Sequence, residues 1–266
     1  MFRKIGFIGT GNMGSAIAAA VAGQGRELLL ANRTPAKAQA LAEKLGARVV
    51  KNPEAAGESD LLFLGVKPQM MADMLADIAP VLRSRETPFV LVTMAAGLTC
   101  ESIREMVGGD YPVIRIMPNT PAAIGAGVVQ YCGLGVSEET LEEFAALLAP
   151  AGLIDRVDEK LIDAACALSG CGPAYAYLFI EALADGAVAC GLPRDKAVAY
   201  AAQMVAGSAR MVLESGKHPG ALKDAVCSPG GTTIQGVRTL EERGFRAAAM
   251  DAVIAAYEKT LSLAKK

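Results

Sequence analysis

A glycine-rich turn near the amino terminus constrains the fold more than any other feature of this 266-residue chain. Residues 9–14 read GTGNMG and fit G-x-G-x-x-G. They directly follow an apolar stretch at residues 5–8 and precede an apolar, helix-like run at residues 15–22. A turn of this kind joins a buried strand to a helix in doubly wound α/β domains. The motif and its context therefore predict that the chain begins with such a domain.

The first half of the chain alternates short apolar segments with longer amphipathic ones. Continuous apolar strands separated by helices are typical of a parallel sheet that is covered by helices on both faces. Pro35 suits the first turn of a helix, and Ser137 is a candidate cap for a later one. The predicted strands are residues 5–8, 27–31, 48–50, 61–66, 89–92, 113–117 and 128–131, and the predicted helices are residues 15–22, 35–45, 69–82, 99–107 and 138–148.

From about residue 161 the pattern indicates helices and no strand. The first helical segment is interrupted only at residues 169–173, where two glycines and a proline stand. We therefore predict a doubly wound, mainly parallel α/β (Rossmann) domain over residues 1–160 and an all-α domain over residues 161–266. The predicted helical segments are residues 162–188, 193–214, 218–226, 231–243 and 245–264.

The predicted all-α domain is rich in alanine and apolar on more than one helix face. A bundle of about 100 residues cannot bury that much apolar surface by itself. We therefore expect a homodimer formed through this domain, with assembly into a higher homo-oligomer left open. A tightly packed monomeric bundle is the alternative.

Composition excludes several classes of function. The chain is 52% hydrophobic with a net charge of −2, which indicates neither a disordered chain nor a nucleic-acid-binding protein. Because His218 is the single histidine, we expect no histidine-ligated metal site, and its place before Pro219 suits a surface or capping residue. The six cysteines contain no C-x-x-C pair and are expected to be free thiols. Glycines interrupt the apolar amino-terminal run, so we expect neither a signal peptide nor a membrane span, and predict a soluble, cytoplasmic protein.

The glycines of the amino-terminal turn suit the phosphates of a dinucleotide. Gly9 permits the tight turn, Gly11 lets the backbone approach a pyrophosphate, and Gly14 allows the helix to pack closely. The amino end of the following helix offers free N–H groups and the positive end of its dipole. A structural turn without a ligand and an S-adenosylmethionine site are the alternatives.

The end of the second predicted strand indicates which nucleotide binds. Sites specific for NAD usually carry an acidic residue here, whereas this chain has Asn32, Arg33 and Thr34. Arg33 suits a 2′-phosphate, with two neutral donors beside it, so NADPH is favoured. NADH is not excluded, and a solvated surface arginine is the alternative.

Three later turns follow predicted strands at the edge where a doubly wound sheet binds its ligand. The first two offer small or rigid residues for close contact with the two ribose units, and Asn119 suits orientation of a carboxamide or a water. Each also fits ordinary turn chemistry. The turns contain Val66, Lys67 and Pro68, then Ala95, Ala96 and Gly97, and then residues 117–121 around Asn119.

Four motifs resemble the pyrroline-5-carboxylate reductase family: VKP at residues 66–68, MPNTP at 117–121, SGCGPAY at 169–175 and SPGGTT at 228–233. The resemblance spans essentially the whole chain, and the last motif is the most specific. Cys171 departs from it, because many relatives carry serine there.

The resemblance implies a Rossmann domain followed by a helical dimerisation domain, with an active site between them. It also implies reduction of a cyclic imine, 1-pyrroline-5-carboxylate, to L-proline with NADPH, the last step of proline biosynthesis. Asn52 is expected in a loop. The implied cofactor contacts are Ile8, Gly9, Thr10, Gly11, Asn12, Met13, Asn32, Arg33, Thr34, Asn52, Val66, Lys67, Pro68, Ala95, Ala96 and Gly97.

Reduction of a cyclic imine requires a hydride donor, an anchor for the substrate carboxylate and a proton for the ring nitrogen. We expect the segment 228–233 to bind the carboxylate through four consecutive unpaired backbone N–H groups at the start of a helix, those of residues 230–233. Thr233 is the predicted catalytic residue, hydrogen-bonded to the ring nitrogen directly or through water. A protonated iminium that simply accepts hydride, and an ordinary capping loop, are the alternatives. The predicted substrate-binding residues are Ser228, Gly230, Gly231, Thr232 and Thr233.

Two other functions remain open from the sequence. A β-hydroxyacid dehydrogenase shares the glycine motif and a helical second domain, but it uses a lysine on the long helix as its acid/base. Here no lysine follows Gly172 until Lys196. A non-catalytic dinucleotide-binding sensor is the second alternative.

Overall fold

The structure, a computed structural model, describes residues 2–264. Residue contacts divide it into two compact units. The first unit comprises Met1–Cys171 together with Ala256–Lys266, and the second is Gly172–Ala255. The functional boundary expected at residue 160 stays a prediction.

Strands and helices alternate through the first unit, as the hydrophobic pattern predicts. The strands are β1 (Lys4–Ile8), β2 (Glu27–Ala31), β3 (Arg48–Val49), β4 (Leu61–Leu64), β5 (Val90–Thr93), β6 (Val113–Pro118), β7 (Gly127–Leu134) and β8 (Gly152–Arg156). The helices are α1 (Asn12–Val21), α2 (Pro35–Leu45), α3 (Asn52–Glu58), α4 (Met71–Arg83), α5 (Cys100–Val107), α6 (Glu138–Leu148) and α7 (Glu159–Ser169).

The strands form one eight-stranded sheet in the order β3-β2-β1-β4-β5-β6-β7-β8. Strands β1 to β6 run parallel, β7 is antiparallel to β6, and β8 is parallel to β7. The chain reverses its direction of travel across the sheet at β1, because β2 lies on one side of it and β4 on the other. The predicted fold class is therefore confirmed, and the carboxyl ends of six strands share one edge.

Each face of the sheet carries its own apolar layer. Phe7 and Phe63 point to one face, where their rings stack at 4.5 Å and the ring of Phe144 from α6 lies 6.2 Å from that of Phe63. Helices α1 and α2 pack on the same face. Neighbouring strand residues such as Leu62 and Leu64 point to the other face, against helices α3, α4, α5 and α7. This alternation is the period of two expected of strands, and it explains why every residue of β4 is apolar.

The second unit is helical, and no strand occurs among residues 161–264. The break predicted at residues 169–173 is confirmed, because α7 ends at Ser169 and α8 begins at Gly172. His218 is the amino-terminal cap that the sequence predicts: its Nδ1 accepts from Gly220 N at 3.1 Å. The helices are α8 (Gly172–Ala189), α9 (Arg194–Ser215), α10 (Pro219–Ala225), α11 (Thr232–Glu242) and α12 (Phe245–Ala264), the last of which extends past Ala255.

Two elements are absent from the sequence prediction. Helix α3 has only seven residues and contains Pro53 and Gly57, so it carries little helical signal; the burial of Ala55 and Ala56 against the sheet supports it. Strand β8 is a partly exposed edge strand with two charged residues, which hides its alternation.

The cap predicted at Ser137 is confirmed, since its hydroxyl accepts from Thr140 N at 3.2 Å. All six cysteines are free.

One helical stretch, Glu159–Ala189, is long and apolar enough by length and composition to cross a membrane. The stretch consists of α7 and α8 and contains charged residues, so its apolar sequence is interrupted. Core helices of globular proteins pass the same test, but here little of the apolar window is buried within the chain. Most of this apolar stretch is therefore exposed within a single chain.

Candidate active site

Three glycines bring two turns at the carboxyl edge of the sheet into backbone contact. Gly9 has a φ of +102°, and a Cβ built there would lie 2.5 Å from the carbonyl oxygen of Gly65, the residue after β4. A Cβ on Gly65 would lie 2.4 Å from Gly9 O, and one on Gly14 would lie 2.2 Å from the same atom. No side chain fits at these positions. Gly65 was missed in the sequence, although a glycine directly after a buried strand is a usable signal.

Gly11 differs from those three glycines because a Cβ built there would meet no atom within 4 Å. It caps the amino end of α1 without a side-chain hydrogen bond, so the first N–H groups of the ten-residue helix have no partner within it. Packing therefore does not require glycine here. The open space beside free N–H groups fits the close approach of a phosphate.

The side chain of Asn32 connects the glycine turn to the loop after β2. Its Oδ1 accepts from Thr10 N at 3.2 Å, and its Nδ2 donates to Thr34 O at 3.0 Å. Asn32 therefore fixes the relative position of two loops in addition to any contact with a ligand. The buried hydroxyl of Thr10 has no hydrogen-bond partner in the structure.

A cavity of about 500 Å³ opens at the carboxyl ends of β1, β2 and β4. It brings together ten of the residues predicted to bind the cofactor: Ile8, Gly9, Thr10, Gly11, Asn32, Arg33, Thr34, Asn52, Val66 and Lys67. Six further lining residues were missed in the sequence: Lys37, Gly65, Met70, Asp73, Met74 and Asp77. The predicted residues that do not line it are Asn12, Met13, Pro68, Ala95, Ala96, Gly97 and Asn119.

The charged side chains of this cavity are unevenly distributed. Arg33, Lys37 and Lys67 are exposed and make no ion pair within residues 2–264. Asp73 and Asp77 come from α4, and Asp77 Oδ2 accepts from Asn52 Nδ2 at 3.3 Å. The loops after β2 and β4 thus present cations, whereas the acidic groups belong to the helix beside them.

The loop placement expected for Asn52 is wrong, because Asn52 is the first residue of α3. A helix of seven residues with proline in its first turn reads as a loop in the sequence. Its amide still lies at the cavity, as its hydrogen bond to Asp77 shows.

The turn after β5 lies further along the same edge. Ala95 is buried, and its N–H donates to Thr93 Oγ1 at 3.3 Å. Gly97 has a φ of +77°, a conformation that a side chain would strain. These features explain the small residues of this turn, and the cofactor contacts expected of it stay predictions.

Asn119, at the end of β6, belongs to a buried polar network within the first unit. Its Nδ2 donates to Ser169 O at 3.0 Å, and its Oδ1 accepts from Val128 N at 2.9 Å. Gln130 Nε2 donates to Ser169 Oγ at 2.9 Å. The network holds the end of α7 at the carboxyl edge of the sheet. Any contact of Asn119 with a carboxamide or a water stays a prediction.

The segment 228–233 lies in the second unit, and its last two residues begin α11. The expectation that four consecutive N–H groups are unpaired is wrong at Gly231, whose N–H donates to Ser228 O at 3.0 Å. This bond closes a tight turn, in which Gly230 has a φ of +68°. The N–H groups of Gly230, Thr232 and Thr233 remain for an anion, because the first N–H groups of a helix have no partner within it.

A doubly wound sheet with a glycine-lined, cation-bearing cavity at its carboxyl edge is typical of dinucleotide-binding proteins of the Rossmann class. Two family models match the chain: "Pyrroline-5-carboxylate reductase dimerisation" over residues 159–263, and "NADP oxidoreductase coenzyme F420-dependent" over residues 4–97. The chain belongs to the pyrroline-5-carboxylate reductase family, as its resemblance in sequence implies and as the relatives below show.

The relatives match over nearly their whole length. Pyrroline-5-carboxylate reductase of Escherichia coli K12 is 41% identical, with 100% of both chains covered. The protein of that name from Arabidopsis thaliana is 43% identical over 98% of this chain and 96% of its own. The crystal structure of Plasmodium falciparum pyrroline carboxylate reductase with NADP bound superposes with a TM-score of 0.88 at 34% identity, and covers 98% of each chain. These likenesses support NAD(P)H as the cofactor.

Proposed function

We propose that this chain reduces 1-pyrroline-5-carboxylate to L-proline with NADPH. One observation carries the proposal: the 41% identity to a reductase of that name extends over all of both chains. It therefore includes both the glycine turn and the segment 228–233. In the balanced reaction, the imine takes up one hydride and one proton, and NADPH becomes NADP⁺.

The residues at the carboxyl edge of the first unit fit a dinucleotide. Gly11 leaves space at the amino end of α1 for a pyrophosphate, and Arg33 supplies an unpaired cation for a 2′-phosphate. When bound, the nicotinamide ring supplies the hydride. Asn32 keeps the two loops around the nucleotide at a fixed spacing through its hydrogen bonds to Thr10 and Thr34.

The segment 228–233 anchors the substrate carboxylate in this proposal. The N–H groups of Gly230, Thr232 and Thr233 offer the same kind of anion site as a phosphate turn, and Ser228 adds a hydroxyl. Thr233 accepts or donates a hydrogen bond at the ring nitrogen and so orients the imine. A hydroxyl is a weak acid and a poor proton donor to a neutral imine. A substrate that binds as the protonated iminium needs no proton from the protein, and Thr233 then only orients it while the surrounding groups stabilise its charge.

The proposal assigns nucleotide binding to residues 1–160, and substrate binding and homodimer formation to residues 161–266. Eight large apolar side chains in the second unit are half or more exposed, more than an isolated bundle usually leaves in water. They are Tyr177, Leu178, Tyr200, Met211, Leu213, Val226, Met250 and Ile254. A second copy covers them in this proposal. Light scattering tests it: a mass twice the chain's 27.5 kDa, or a larger multiple, supports assembly, and the mass of one chain contradicts it.

We also place the protein in the cytoplasm and free of membranes, in keeping with its free thiols. Fractionation of cells tests this location. Recovery with the membrane pellet would contradict it and would assign the apolar stretch Glu159–Ala189 to a bilayer instead of a subunit interface.

The decisive assay follows NADPH absorbance in the presence of 1-pyrroline-5-carboxylate and measures proline as product. A parallel reaction offers 3-hydroxyisobutyrate with NADP⁺. Helix α8 contains no lysine to act as the base for alcohol oxidation, so the second reaction is expected to be inactive. Activity with the hydroxyacid alone would indicate a β-hydroxyacid dehydrogenase. Tight nucleotide binding without either activity would indicate a sensor.

A further inference from the structure

We propose that Lys37 determines cofactor specificity, with its ammonium group binding the 2′-phosphate of NADPH together with Arg33. This inference rests on the proposed use of NADPH and adds a second cation to the one expected from the sequence. Lys37 lies in the first turn of α2, whereas Arg33 lies in the loop before that helix. Both line the cavity at the ends of β1, β2 and β4.

The start of α2 brings Lys37 close to the loop that carries Arg33. Thr34 stands at the N-cap position of α2, and Lys37 N donates to Thr34 O at 3.1 Å. The backbone from residue 33 to residue 37 therefore makes a single turn around the mouth of the cavity. Lysine has a long, flexible side chain that can reach a phosphate on the surface of such a turn.

The charges nearby support a dianionic ligand. Arg48, on the neighbouring strand β3, is satisfied by Glu27, Glu54 and Glu58. By contrast, Arg33 and Lys37 form no ion pair with any residue from 2 to 264, and both stay exposed. A phosphate monoester carries about −1.5 to −2 charges at neutral pH, so it can accept hydrogen bonds from both cations.

The two acidic residues of the cavity lie on a different element from the two cations. Asp73 and Asp77 come from α4, and Asp77 is engaged by Asn52. The loop after β2 contains no carboxylate, so nothing there neutralises Lys37 or repels a phosphate.

The test compares Lys37→Met with Lys44→Met, a change of the same kind in the last turn of α2 that lies outside the cavity. Fluorescence titration gives Kd for NADPH and for NADH, and competition with ADP-ribose and its 2′-phosphorylated form isolates the phosphate. We expect Lys37→Met to raise the Kd for NADPH about tenfold and to leave the Kd for NADH within about twofold. Lys44→Met is expected to change neither value, and Lys37→Arg to keep the preference for NADPH.

The outcomes separate this inference from the proposed reaction. Equal weakening of both nucleotides by Lys37→Met would place the lysine on the pyrophosphate, and no weakening would make it a solvated side chain; either result overturns the proposal. The titrations need no imine, so they test Lys37 whatever the substrate proves to be. Reduction of 1-pyrroline-5-carboxylate by the unmodified protein is measured separately. That assay tests the proposed reaction, and its result does not depend on the role of Lys37.

Discussion

The glycines of the amino-terminal turn meet two different physical requirements. Gly9 and Gly14 are enforced by the backbone, since a Cβ at either would overlap main-chain atoms. Gly11 has open space, so only a ligand would require glycine there. The motif G-x-G-x-x-G does not distinguish these two requirements, because it contains the three glycines alike. The structure distinguishes them by the space around each Cα.

This distinction leads to a paired prediction. Gly14→Ala forces a Cβ to within 2.2 Å of Gly9 O and is expected to cost about 1–3 kcal/mol of unfolding free energy. Gly11→Ala is expected to cost under about 1 kcal/mol, the usual loss at a helix cap, and to weaken NADPH binding about tenfold or more. Urea denaturation and nucleotide titration of both variants measure the two effects. Equal destabilisation by the two changes would contradict this assignment.

Thr233 carries the mechanistic prediction at the residue scale. Thr233→Ala removes the hydroxyl proposed to orient the ring nitrogen, and we expect kcat to fall about 100-fold while the Kd for NADPH stays nearly unchanged. Thr233→Ser keeps a hydroxyl and serves as the matched control, with most activity retained. Steady-state kinetics and nucleotide titration give both quantities. Unchanged turnover in the alanine variant would remove Thr233 from the mechanism.

Among the secondary-structure elements, α7 is held against the sheet by ion pairs near its start and by hydrogen bonds at its end. Near its start, the buried guanidinium of Arg115 on β6 pairs with Asp163 and lies 3.7 Å from Glu159. At its end, Asn119 and Gln130 hold Ser169. These contacts fix the place where the helix breaks, at the carboxyl edge of the sheet.

Loss of the buried cation tests this attachment. Arg115→Met leaves Asp163 without its partner, and we expect a loss of about 3 kcal/mol in unfolding free energy. Arg115→Met combined with Asp163→Asn removes both charges and is expected to recover part of that loss. Urea denaturation measures the two variants. A single variant as stable as the original protein would show that the pair does not hold α7.

A second group of charges connects β1, β3 and α3 and gives a pH prediction. Hydrogen bonds from Lys4 and then from Arg48 lower the pKa of Glu58 below its ordinary value of 4.5. Since the folded-state pKa is the lower one, the carboxylate contributes stability above pH 4.5, and this contribution is lost as the pH falls through the folded-state pKa. Glu58→Gln is therefore expected to lower Tm near neutral pH and to have a smaller effect in acid. Thermal unfolding across pH tests this; an equal difference at every pH would contradict it.

The elements that the sequence predicted are those with strong periodic signals. Buried strands such as β4 and amphipathic helices such as α4 are apparent from apolar runs and spacing. Helix α3 and strand β8 are short or partly exposed, and they form because neighbouring elements hold them. Contacts with residues distant in sequence stabilise them, so the local hydrophobic pattern does not predict them.

For the whole molecule, the sequence predicted an α/β part followed by a helical part, and ten of the sixteen residues that line the cavity at the carboxyl edge of the sheet. Lys37, Asp73 and Asp77 were missed because they lie on helix surfaces, where a charged residue is usually only solvated. The pairing of Gly231 N with Ser228 O was also missed, since tight turns close through backbone bonds that residue types do not specify. The reaction itself, reduction of 1-pyrroline-5-carboxylate, was inferred from the family resemblance. A relative of that name that matches over all of both chains supports it.

Isotope labelling of the hydride tests directly whether this chain reduces the imine with NADPH. The protein is incubated with 1-pyrroline-5-carboxylate and NADPH that carries deuterium at the transferred position of the nicotinamide, and the product is examined by mass spectrometry. We expect proline that is one mass unit heavier, with the deuterium on the ring carbon that was doubly bonded to nitrogen. Unlabelled proline, or no proline despite bound NADPH, would contradict the claim that this chain reduces a cyclic imine by hydride transfer.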